Sequence, residues 1–178
     1  MKAGLTVIGV LLVIPILIIR YGLPHFVEKS AMKRLAFTPP PKGREKIAFW
    51  VYMPSTFAML IYLFFIKITF SSIWFYVGVS IYSIGVLLYA ISMINFGKSS
   101  EQGINTKGLY KFSRNPIYVA FFLFLLGCAL MTQSLIFLLL VVIYQVSVHW
   151  IILSEERWCL TEFGDEYKRY MEKVRRYL

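Results

Sequence analysis

The feature that most constrains this chain is a long, mostly apolar run from Ile117 to Leu153, with a turn signal at Thr132-Gln133-Ser134. A run of that length is enough for two membrane crossings if it folds back on itself. Three further apolar blocks precede it, about Ala3 to Leu23, Ile47 to Ile66 and Ile73 to Ile94. Inside a bilayer no water satisfies the backbone, so such blocks fold as helices. The chain is 58% hydrophobic with mean hydropathy +0.67. With the apolar residues gathered in blocks, that composition marks a membrane protein, not a soluble core. The expected fold class is therefore all-α: a single-domain integral membrane helical bundle of about five transmembrane helices, the last two a hairpin. A cytoplasmic interfacial helix, Ser154 to Leu178, is expected to follow, interrupted at Gly164. Pro15 and Pro54 fall inside blocks, where a kink is tolerated if neighbours re-satisfy the freed backbone groups. Pro39, Pro40 and Pro41 forbid a continuous helix through the loop 24–46.

The net charge of +10 raises the question of nucleic acid. Its placement argues against that partner, because the basic residues stand between apolar blocks, where they set topology. Arg20 with the loop to Lys46, the segment Asn95–Asn115, and the tail from Arg157 hold seven, four and six of the 19 lysines and arginines. Only Lys2 and Lys67 remain for the other side. The positive-inside rule then puts the N-terminus outside and the polar segments in the cytoplasm. The chain divides into three N-terminal spans, 1–94, and a region 95–178 that carries the candidate site. Cys128 and Cys159 resemble neither a disulfide framework nor a metal site, and no metal is expected. Gly78 and Gly85, with Ser80, Ser83 and Ser92, give the third span small groups for close helix contact.

Two polar clusters flank the last hairpin, which would return both to one membrane face. The first holds Arg114, Asn115 and Pro116. Proline suits the first turn of a helix, so Asn115 is a plausible N-cap. Backbone amides at that helix start would face the loop, ready for an anion, with the forked donor of Arg114 beside them. The plain alternative is a capped helix with a snorkelling arginine. The second cluster begins at Glu155 and Glu156. Neighbours on a helix point about 100° apart, so at most one is expected to face a given site. Tyr110, Tyr118 and Tyr167 could line a pocket or belong to an interfacial belt. His149, deep in the fifth block, is expected to make an interhelical hydrogen bond.

These residues carry a resemblance. Gly108-Leu109-Tyr110, Arg114-Asn115-Pro116 and Tyr118, then the hairpin, Glu155-Glu156, Phe163-Gly164-Asp165-Glu166-Tyr167, Tyr170 and Arg176 resemble the isoprenylcysteine carboxyl methyltransferase and phospholipid methyltransferase superfamily. The resemblance covers about Asn105 to Leu178. It implies S-adenosylmethionine as cofactor, bound at the cytoplasmic face by Lys107, Gly108, Leu109, Tyr110, Arg114, Asn115, Pro116 and Tyr118 with Glu155 and Glu156. It implies catalytic roles for Arg114, Glu156 and Arg176, and the more direct cofactor contact for Glu156. Two departures stand out. Asn115 replaces a histidine common among the carboxyl methyltransferases, and asparagine cannot titrate near neutral pH. Val174-Arg175-Arg176 replaces Val-Pro-Arg, so either arginine could match. The implied activity is methyl transfer to a lipophilic acceptor: an isoprenylcysteine carboxylate, a phospholipid amine or a small lipophilic metabolite. The alternatives are a small membrane transporter and a sterol-reductase-like NADPH enzyme.

Overall fold

A computed structural model describes residues 9–27, 31–66, 68, 70, 72–98 and 104–178. Lys2, Lys67, Gly103 and the first residues of the first expected span lie outside the described residues. Among those described there is no strand. A 3-10 turn, Gly9–Val13, leads into α1, Ile14–Val27, and α2, Ala31–Ala36, follows. The long helices are α3, Glu45–Leu63, α4, Ile73–Gly97, α5, Pro116–Thr132, and α6, Leu135–Lys173.

Several expected boundaries move. Pro15 does not kink the first helix; it stands where the 3-10 turn becomes α-helix, a place proline tolerates. Helix α1 continues through Pro24, so the loop expected over 24–46 is extended only from Phe37 to Lys42. The turn at Gln133 adopts a left-handed conformation (φ 48°), and the Ser134 side chain caps α6 by accepting from Phe137 N. The fifth apolar block and the tail form one helix with a break at Gly164 (φ 51°, ψ −126°), a conformation open to glycine alone.

Among the described residues, α3, α4 and α6 are long and apolar enough to cross a membrane, and Leu11–Leu23 and α5 are shorter apolar helices. At 17 residues, α5 rises about 25 Å, short of a hydrocarbon core of about 30 Å. Large apolar side chains such as Trp50, Phe65, Ile73 and Leu135 point outward and exposed, as lipid-facing surface requires.

Helix α5 packs antiparallel on α4, and α6 packs antiparallel on α3. Tyr82 of α4 donates to the Leu12 carbonyl at 2.8 Å, and α1 packs against α4. Glycine sets the α4–α5 spacing. A Cβ at Gly85 would lie 2.4 Å from Phe124 N, and one at Gly127 would lie 2.5 Å from Tyr82 N. Gly78 meets Met131 in the same way, so both expected glycines lie at this contact. Of the expected serines only Ser92 is buried; Ser80 and Ser83 are exposed and take no part. The core joins Met59, Leu63, Tyr89, Met93, Phe124, Phe137, Val148 and Ile152 across the four long helices.

Candidate active site

The polar clusters meet at the end of the bundle where α3, α5 and the C-terminal part of α6 converge. Glu156, 3% exposed, is the centre of the arrangement. One oxygen accepts from Arg114 Nε at 3.1 Å and Nη2 at 2.8 Å. The other accepts from Arg176 Nε at 3.0 Å and Nη2 at 2.8 Å. Arg114 Nη1 also donates to the carbonyls of Met171 and Val174. The fork of Arg114 thus holds a carboxylate and the end of α6 together, with geometry a lysine could not supply. Arg176 is the inward residue of its pair, since Arg175 is exposed. The bond to Glu156 holds the Arg176 guanidinium above its ordinary pKa.

The tail after α6 is bound back onto the loop before α5. Arg114 N donates to the Arg175 carbonyl at 2.9 Å. Ser113 Oγ and Asn115 Nδ2 both donate to the Arg176 carbonyl. Asn115 therefore stands at the N-cap position but makes no side-chain cap. The helix start is also less open than expected, because the amides of Tyr118 and Val119 both bond the Asn115 carbonyl. Beyond Arg176, the Tyr177 hydroxyl meets His149 Nδ1 at 2.7 Å. The partner of His149 is thus the tail, not another helix. Val119, Phe122, Gln145, Tyr177 and Leu178 line a cavity of about 240 Å³ beside it.

Glu155 turns a different way. Tyr118 donates to its Oε1 at 2.6 Å. Burial pushes the Glu155 carboxyl up to about 7; the Tyr118 bond opposes this and the charge of Glu156 adds to it. Both glutamates are used, each on its own partners, where one facing residue was expected. Arg157, next in sequence, leaves the site and pairs with Glu45 of α3 at 2.7 Å.

Gly108–Lys111 forms a 3-10 turn, with Lys107 extended just before it. Lys107 and Gly108 are exposed, Leu109 is partly covered and Tyr110 is buried. Tyr170 donates to the Tyr110 carbonyl at 2.6 Å, which seats the turn on α6. Tyr167 is buried beside Tyr170, with ring centroids 5.9 Å apart. Gly108 has φ +58°, and a Cβ there would lie 2.3 Å from Asn95 Nδ2. That Asn95 nitrogen is buried and has no hydrogen-bond partner. Sequence reasoning missed Asn95, which stands at the end of an apolar block like any loop-entry residue. Its unpaired donor beside an exposed glycine turn is the kind of group that a polar ligand completes.

Residues 68–166 match the family model for phospholipid methyltransferase, more than half of the chain. No curated protein and no solved structure matches it.

Proposed function

The chain belongs to the phospholipid methyltransferase family, and from that premise we propose that it transfers a methyl group from S-adenosylmethionine to a lipophilic acceptor at the membrane surface. The family match carries this reading, since it spans α4, α5 and most of α6, and with them Gly108, Arg114 and Glu156. When bound, S-adenosylmethionine supplies an activated methyl on a sulfonium, so the protein's task is placement.

The residues fit that cofactor on one side. The Gly108–Lys111 turn with the unpaired Asn95 amide offers main-chain and side-chain donors to a polar ligand arriving from solvent. Arg114, Asn115, Glu156 and Arg176 form a brace that shapes the floor of the site. Their donors and acceptors are largely spent on one another, so they act by positioning Pro116, Tyr118 and the tail. Of the glutamate pair, Glu155 is the one left to meet reacting groups. With Tyr118 it faces the bundle, the side from which a lipophilic acceptor enters. The brace also limits water access, which keeps a charged reaction centre from being solvated. In this reading the site, the segment between α1 and α3 and the tail face the cytoplasm, and the N-terminus is outside.

The test is calorimetric titration of S-adenosylhomocysteine into the full chain in mild detergent. Saturable binding is expected, with Asn95→Ala weakening it roughly tenfold, the worth of one lost buried hydrogen bond. A folded wild type that ignores S-adenosylhomocysteine, or that binds NADPH in its place, would overturn the reading.

A further inference from the structure

The cavity of about 240 Å³ beside His149 has no part in the site described above. Its walls come from Val119 and Phe122 of α5, Gln145 of α6, and Tyr177 and Leu178 of the tail. They are almost wholly apolar, and the cavity is partly open on one side. Gln145 is the exception. It stands eight residues before Leu153 in the apolar part of α6, about 12 Å along the helix. Its Oε1 is buried and accepts no hydrogen bond among the described residues. The lining's one hydroxyl, that of Tyr177, is engaged with His149 Nδ1 at 2.7 Å. A buried amide oxygen at membrane depth ordinarily finds a partner on a neighbouring helix. Here it borders empty space instead.

The cavity is separate from the acceptor side proposed above. Val119 follows Tyr118, and Gln145 follows Tyr144. Neighbours on a helix point about 100° apart. Tyr118 reaches Glu155, and Tyr144 is buried in the core. The cavity therefore uses a different face of both helices, turned toward the tail.

We infer that this cavity is a second lipophilic site, which takes a single alkyl chain bearing a hydroxyl, drawn from the bilayer, with the hydroxyl donating to Gln145 Oε1. No side chain of the lining is charged, so a charged headgroup would lose its water there with nothing to answer it. A plain hydrocarbon would leave the amide oxygen unanswered. The volume falls below the roughly 300–1,000 Å³ of sites that enclose a whole drug-sized molecule, which suits one chain and not two. The inference does not depend on methyl transfer. Tyr177 is the neighbour of Arg176, so the occupant would rest against the same tail that closes the Glu156 brace.

The experiment photolabels the full chain in mild detergent with a decanol that carries a diazirine at its far end. Competition by 1-decanol is compared with competition by decyl methyl ether, which has the same chain and no donor. The label is expected on the peptides that hold Val119, Phe122, Tyr177 and Leu178. Decanol should compete roughly fivefold better than the ether, the worth of one hydrogen bond. Gln145→Leu keeps the helix apolar and should erase that difference, while S-adenosylhomocysteine binding stays as in wild type. Label that maps elsewhere overturns the inference. Equal competition by alcohol and ether in wild type does so too, as does a preference that survives in Gln145→Leu. If Gln145→Leu does not fold, the wild-type map and competition decide alone. Methyl transfer from S-adenosylmethionine to decanol would overturn the separation of this cavity from the acceptor side.

Discussion

Glu156 holds two arginines with its two oxygens while only 3% exposed. Removing one member of a buried ion group leaves uncompensated charge, which typically costs about 3–5 kcal/mol. Glu156→Gln should therefore lower the thermal midpoint in detergent by several degrees. Arg176→Met should cost less, because the Arg176 side chain is 31% exposed. An unchanged midpoint for Glu156→Gln would show that the brace contributes no stability. Glu155 makes a second prediction. Its carboxyl is raised from an ordinary 4.5 to about 7, so between those values the folded chain keeps a proton that the unfolded chain has released. Stability should fall as pH rises from about 4.5 to about 7 and then level off, by on the order of 3 kcal/mol at most. Unfolding midpoints at pH 5 and pH 8 should differ less in Glu155→Gln than in wild type, and an identical pH difference would count against the burial of this carboxyl. The sequence marked both glutamates as site residues. It could not show that one is spent on arginines and the other on a tyrosine, because that depends on partners 37 and 42 positions away.

The α4–α5 contact is glycine-made at both ends of the crossing. Gly127→Ala would push a methyl against Tyr82 backbone, and overpacking of this kind costs about 1–3 kcal/mol. Ser83→Ala, on the exposed side of the same helix, should stay within about 0.5 kcal/mol. Equal effects on the unfolding midpoint would mean that α4 and α5 do not meet along this face. Gly78 and Gly85 were legible as packing residues from their place in an apolar block. Gly127 was not, since its role appears only once α5 lies against Tyr82. The starts of α4, α5 and α6 were also legible. Proline opens α5 and Ser134 caps α6 because each local choice satisfies its own backbone. The break at Gly164 was expected from glycine alone, whereas the unbroken passage of α6 from the apolar block into the tail was not. Nothing local stops a helix at Leu153, where only the surroundings change from lipid to polar.

At the scale of the whole molecule, three tertiary ties close the site. Arg157 clamps Glu45 at the start of α3, Tyr170 seats the Gly108–Lys111 turn, and the tail is bound along Ser113–Asn115. The family membership and the apolar helices make this a membrane protein. The charge segregation adds an orientation that can be tested directly. In a Cys128→Ala, Cys159→Ser background, Lys67→Cys should react with a membrane-impermeant maleimide added outside intact cells, and Lys111→Cys should react only after permeabilisation. The reverse pattern would overturn the placement of the site in the cytoplasm.

By itself the sequence determined the helical class, the starts of α4, α5 and α6, the family and the two polar clusters. These follow from local composition and from short motifs, which need no knowledge of what lies alongside. Only the tertiary structure decided that Arg114 and Arg176 share Glu156, that His149 meets the tail, and that Asn95 keeps an unpaired donor beside Gly108. The physical reason is that an ionic or polar side chain buried in a bundle takes its chemistry from whichever helices pack around it. Hydrophobic periodicity records that those helices exist, but not which faces they turn to one another.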